Sequence, residues 1–270
     1  MGQPKLARAG GVAARAGQDG QRQQIVPMGG SGCSFLHSAS SESGMVNRQA
    51  EPYHGGIARC RAFDEGEPSM PQAKTLMDFA GATRKPADWQ QASLVLIDHQ
   101  REYVDGSLPL SGMAEAVAEC QRLLAAARKA GAPVVHIQHH GQPGGAIFDP
   151  QGPYAELIAE LAPAQGETVI VKHLPNAFAG TALADTLGKT GRKQLVIAGF
   201  MTHMCVSATA RAALDLGYTT TVVAAACATR DLPDPVNGEV VPAAVVHRTA
   251  LTELNDLVAL VVPDAGALAG

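Results

Sequence analysis

Gln194-Leu195-Val196-Ile197-Ala198-Gly199-Phe200-Met201-Thr202-His203-Met204-Cys205-Val206 is the stretch that decides the fold. Residues 194–199 form a short apolar run without apolar–polar alternation, which reads as a strand covered on both faces. The chain then turns and enters residues 204–216, where apolar side chains recur at helical steps. Five other runs read like the first: residues 93–98, 133–138, 168–171, 219–224 and 257–261. Helical stretches lie among them. In residues 113–130, Met113, Val117, Cys120, Leu124 and Ala127 share one helix face, and Gly131 followed by Pro133 ends it. Residues 181–189 and 242–256 behave alike. Strands alternating with helices predict an α/β fold: a parallel sheet with right-handed crossovers and helices on both faces. In such sheets the ligand crevice lies past the carboxyl ends of the strands, so chemistry is sought just after each strand.

Composition narrows the function. The chain has 270 residues, 46% of them hydrophobic, which is enough for a sizeable core. A net charge of −4 with no dense basic block argues against nucleic acid as a partner. The apolar runs are far too short to span a bilayer. Five cysteines (Cys33, Cys60, Cys120, Cys205 and Cys227) show no CxxC or zinc-finger spacing and read as reduced thiols of a cytoplasmic protein. Residues 1–69, rich in Gly, Ser, Gln, Ala and Arg, carry neither helical nor strand periodicity. The expected organisation is a disordered extension over 1–75, with Met70 the natural start, and a folded domain over 76–270.

Three residues stand just past strand ends. Asp98 closes the first run; a turn or capping carboxylate is the alternative. Lys172 follows the third, where a lysine reaching out to solvent is the ordinary outcome. Cys205 lies in the first turn of a helix, where free N–H groups and the helix dipole favour a thiolate and can also receive an oxyanion. Together they supply a nucleophile, a carboxylate to take its proton and a cation to tune both. His203, two residues before Cys205, points to another side of the helix start, so a substrate-pocket role suits it better than that of the base. His247 and Arg230 are assigned no chemistry.

Leu96-Ile97-Asp98-His99-Gln100-Arg101-Glu102-Tyr103 resembles the first-strand signature of the isochorismatase-like cysteine hydrolases. Val171-Lys172 with Ala177-Phe178-Ala179-Gly180-Thr181 resembles their lysine segment, and residues 199–206 their nucleophile turn. Ala225-Ala226-Cys227-Ala228-Thr229-Arg230 resembles the segment after their fifth strand. The resemblance spans about residues 90–262. It implies a Rossmann-like three-layer α/β/α sandwich with a six-stranded parallel sheet, assembled as a homodimer or homotetramer. It also implies that Asp98 deprotonates Cys205, that Lys172 steadies both, and that the thiolate attacks an amide carbonyl to give a thioester. A cis peptide between Phe200 and Met201 and an oxyanion hole of the Met201 and Cys205 N–H groups follow from the same resemblance. Gln100, Tyr103, His139, Phe178 and His203 are the candidate pocket residues.

The chain departs from the pattern in two places. Arg101 and Glu102 replace the usual Asn-Asp pair. Gln138-His139-His140-Gly141 lacks the aspartate and the spacing of the nicotinamidase metal site, so neither metal nor cofactor is expected. The expected reaction is hydrolysis of a small carboxamide or carbamoyl compound. Vinyl-ether hydrolysis by Asp98 and Lys172 without the cysteine is one alternative; a non-catalytic binding or assembly protein of the same fold is the other.

Overall fold

The computed structural model describes residues 72–268. The expectations for residues 1–69 and for Met70 as a start lie outside them. The described chain opens with α1 (Leu76–Phe79), a single turn closed by a reciprocal Thr75–Asp78 cap. It is pinned to the fold where the Leu76 N–H meets Asp256 Oδ1 at 2.7 Å.

The main sheet contains β1 (Ala92–Ile97), β2 (Val134–His139), β3 (Thr168–Lys172), β4 (Gln194–Phe200) and β5 (Thr219–Ala228). A two-stranded antiparallel hairpin, β6 (Leu232–Pro233) with β7 (Val240–Val241), precedes its sixth strand, β8 (Leu260–Val262). The six strands are parallel, in the order β3-β2-β1-β4-β5-β8. The helices are α2 (Met113–Lys129), α3 (Leu183–Thr190), α4 (Ser207–Asp215) and α5 (Ala243–Glu253).

Two cores cover the two faces. Leu94 and Leu96 of β1 pack with Cys120, Leu123 and Leu124 of α2. Val95 and Ile97 turn the other way, toward Leu187 of α3, Ala210 of α4 and Leu251 of α5. This is the expected three-layer sandwich. Each fully buried Leu or Ile contributes roughly 1.5–3 kcal/mol relative to exposure. Strand order reverses direction between β1 and β4, and that switch point opens the crevice at the carboxyl ends of the strands.

The structure corrects three details. β3 is not covered on both faces: Val169 and Val171 are exposed because β3 is an edge strand that the α2 layer leaves bare. The sixth strand begins at Leu260, since Leu257 and Val258 belong to a wide turn ending α5 (Leu254–Val258). β5 runs on to Ala228 through a slip in register, with Ile197 opposite Val222 but Gly199 opposite Cys227.

Candidate active site

The turn that carries Cys205 is set by a backbone contact. Gly199 has φ +120°, and a Cβ there would sit 2.0 Å from the carbonyl oxygen of Ile97, its register partner on β1. No side chain fits, so β4 and β1 approach main chain to main chain. The Phe200–Met201 peptide is cis, as the resemblance implied. The Met201 carbonyl then accepts from Met204 N (3.0 Å) and Val206 N (3.2 Å), closing a wide turn over Thr202–Val206. That turn carries Cys205 and runs directly into α4, so the cysteine lies just ahead of the regular helix.

Asp98 continues past β1 with φ +48°, a left-handed conformation that costs a non-glycine residue roughly 1–2 kcal/mol. Its N–H donates to Ile137 O at 2.9 Å and its carbonyl accepts from Gln100 N at 2.8 Å, which hold the strained residue in place. Lys172, the last residue of β3, lies beside His139 in the parallel register. Its ammonium stands 2.7 Å from Asp98 Oδ2, 3.0 Å from His139 Nδ1 and 3.4 Å from Cys205 Sγ. The predicted triad therefore converges on one atom, Lys172 Nζ. Asp98 and Lys172 are fully buried and Cys205 is 6% exposed.

Burial governs the electrostatics. It pushes the Asp98 carboxyl up to about 6, against the pull of Lys172. At neutral pH Asp98 is thus ionised, yet far more basic than an ordinary carboxylate, as a proton acceptor should be. The ion pair is close but poorly aligned, and neither Asp98 oxygen accepts a hydrogen bond from the described residues. Burial and the Asp98 charge push the Cys205 thiol up to about 12, outweighing Lys172. This corrects the expectation of a helix-stabilised thiolate: a dry site beside a carboxylate keeps the resting sulfur protonated.

The pocket candidates divide. Gln100 is engaged by the main chain at both ends of its amide: its Nε2 donates to His139 O (2.8 Å) and Ala155 O (2.7 Å), and its Oε1 accepts from His139 N (2.7 Å). It clamps the end of β2, with both N–H donors of its amide spent on main-chain carbonyls. Tyr103 reaches the site; its hydroxyl senses Asp98 and Cys205, while its ring meets Phe148 and Phe200 edge-on at 5.2 and 5.9 Å. Phe178 does not: it stacks on Tyr218, just ahead of β5 at the opposite end of the sheet. His203 Nδ1 binds Thr229 Oγ1 at 2.5 Å and makes no bond to Cys205, in keeping with its expected orientation. His247 Nδ1 meets Thr202 Oγ1 at 2.8 Å. His139 and His140 diverge, the first to Lys172 and the second toward His173, and among the described residues no cluster of His, Cys, Asp or Glu can hold a metal.

Two functional contacts were missed from sequence. His139 bonds the triad lysine itself. Glu102, buried, accepts from Ser107 N (2.7 Å) and Phe148 N (2.8 Å), fixing the wall that carries Phe148. The β2–β3 register would have revealed the first, but periodicity does not supply the register between strands joined by a long connection.

The isochorismatase domain model matches residues 92–262. The chain belongs to the isochorismatase family. A secreted isochorismatase effector of Verticillium dahliae is 37% identical over 66% of this chain and 90% of its own length. A streptothricin hydrolase of Streptomyces noursei is 38% identical over 63% of this chain and 61% of that protein. A maleamate amidohydrolase of Pseudomonas putida is 33% identical over 53% of this chain and 72% of that protein. The crystal structure of an isochorismatase from Pseudomonas putida, 47% identical, superposes with a TM-score of 0.68 over 72% of this chain and 98% of that one. This isochorismatase-family chain is a hydrolase, and no described helix is long and apolar enough to cross a membrane.

Proposed function

We propose that this hydrolase cleaves the C–N bond of a small carboxamide or carbamoyl compound through a thioester on Cys205. As substrate enters, Asp98 takes the Cys205 proton and the sulfur forms a bond to the carbonyl carbon. The oxygen gains negative charge, which the Met201 and Cys205 N–H groups receive. The C–N bond then breaks, and the proton on Asp98 passes to the departing nitrogen. Asp98 next draws a proton from water, whose oxygen attacks the thioester; the C–S bond breaks and the proton returns to sulfur. Lys172 balances the charge as it moves between Asp98 and sulfur.

The convergence of Asp98, Cys205 and His139 on Lys172 Nζ carries this reading. The amidohydrolase among the relatives supports the bond class. The test measures ammonia release on a panel of amides that includes nicotinamide, with Cys205→Ala, Asp98→Asn and Lys172→Ala beside the wild type. Each single variant should fall to a similar floor, because the three serve one step and their losses are far from additive. Turnover surviving in Cys205→Ala would move the reading to vinyl-ether chemistry without the thiol. Action in the cytoplasm is supported by the free thiols of Cys120, Cys205 and Cys227. A homodimer or homotetramer is the assembly proposed, and light scattering on the purified chain tests it.

A further inference from the structure

Lys172 has three N–H donors and no acceptor, and three groups surround its ammonium: the Asp98 carboxylate, in ion-pair contact through Oδ2 at 2.7 Å, and His139 Nδ1 at 3.0 Å and Cys205 Sγ at 3.4 Å, to both of which it donates. Two of the three belong to the proposed reaction. The third does not, and no step above uses it. Because an ammonium can only donate, His139 must offer a lone pair at Nδ1 and carry its proton on Nε2. Burial and the Lys172 charge hold this imidazole at about 4, so it is neutral where the enzyme would work.

The surroundings fix His139 more firmly than a pocket-lining residue requires. Gln100 grips its N–H and its carbonyl together, at 2.7 and 2.8 Å. Phe148 meets the ring edge-on at 5.0 Å, and Phe148 is itself held by Glu102 through its N–H. The parallel register sets His139 directly beside Lys172. A lysine ammonium rides on four rotatable bonds, and in a buried site it needs a donor direction anchored by something that does not change charge during the reaction. Asp98 and Cys205 both change charge; a neutral imidazole does not.

We propose that His139 is the positioning residue of the triad lysine, a neutral Nδ1 acceptor that holds Lys172 Nζ between Asp98 and Cys205. The proposal rests on the role given to Lys172 above, and its test separates the two. Asn places its Oδ1 where His places Nδ1, whereas Gln places its acceptor where His places Nε2, and Phe places none. Wild type, His139→Asn, His139→Gln and His139→Phe are treated with p-nitrophenyl acetate. Release of p-nitrophenolate is followed by stopped flow, and acetyl-Cys205 is counted by peptide mass. Misplacing a reacting group by about 1 Å costs on the order of a hundredfold. The Gln and Phe variants should therefore acylate about a hundredfold more slowly, with half-saturation little changed. Asn should recover to within about tenfold of wild type. Melting temperatures of the Asn and Gln variants should agree, which removes folding as the cause. An Asn variant no faster than Gln, or all three as fast as wild type, overturns the positioning role. Lys172→Ala and Cys205→Ala run alongside: if those release p-nitrophenolate as fast as wild type, it is the mechanism that has failed rather than the assignment of His139.

Discussion

Removing both charges of the Asp98–Lys172 pair should stabilise the protein while abolishing its activity. At 2.7 Å the two charges attract by about 6 kcal/mol at an effective dielectric constant near 20. Each ion gives up several kcal/mol of hydration on full burial. The balance can be read from Asp98, whose carboxyl burial holds at about 6 against an ordinary 3.8. Two pH units at about 1.4 kcal/mol each put the cost of keeping it ionised near 3 kcal/mol at neutral pH. Lys172→Met should then be mild, because Asp98 escapes by taking a proton. Asp98→Asn should be severe, about 3–5 kcal/mol, because it strands a buried ammonium. The double variant Asp98→Asn/Lys172→Met should recover past wild type by about 1–3 kcal/mol. At about 2–4 °C per kcal/mol for a domain of this size, its melting temperature should rise by roughly 3–10 °C. Thermal and urea unfolding of the four proteins measures this. A double variant less stable than either single one would refute the reasoning and make the pair a structural staple.

Acid should unfold the domain early. Buried His99 refuses a proton until about pH 3, whereas the unfolded chain accepts it near 6.5, so this contribution is intact above pH 6.5 and drains away as pH falls toward 3. Glu167, held at about 2 by Arg128, adds a loss in the same direction below its ordinary 4.5. His99→Leu should flatten this acid limb in denaturation followed from pH 7 to 4; an unchanged slope would dismiss His99 as the cause. Alkylation of Cys205 by iodoacetamide should climb with pH without levelling below about 9, since burial and the Asp98 charge push this thiol up to about 12. A plateau near neutrality would show a thiolate already formed at rest. Gly199→Ala should cost more than about 4 kcal/mol or prevent soluble expression, because of the 2.0 Å contact with Ile97 O. A chain starting at Met70 should keep the full melting temperature, since the cap at Thr75 and the tie from Leu76 to Asp256 are both retained; a drop of several degrees would refute this.

Asp98, Lys172 and Cys205 could be brought together from the sequence because each stands at the end of an apolar run or in the turn that follows it, and a parallel sheet gathers such residues at one end. What failed was whatever depended on register or on the far side of a loop. Phe178 shares the lysine segment with Lys172, yet the chain after β3 carries its ring back to Tyr218. Gln100 is polar and stands two residues past Asp98, which looks like a pocket position; only the course of residues 153–155 and the end of β2 show that its amide is bound to the main chain. β6 and β7 have two residues each, too few for any period to register. The protonated resting state of Cys205 was hidden for a different reason: helix polarity is local and visible in sequence, while the dryness that defeats it comes from tertiary packing.

The contact between Gly199 and Ile97 bears on how such an enzyme can change its substrate over time. The address of Cys205 is written in main-chain atoms of two central strands, not in the side chains that would line a pocket. Loops past β2, β3 and β5 can therefore be lengthened, shortened or recoloured with charge without moving the sulfur relative to Asp98. A scaffold of this kind separates the inheritance of a reaction from the inheritance of a specificity. Relatives named for compounds as unlike as streptothricin and maleamate are what that separation would produce.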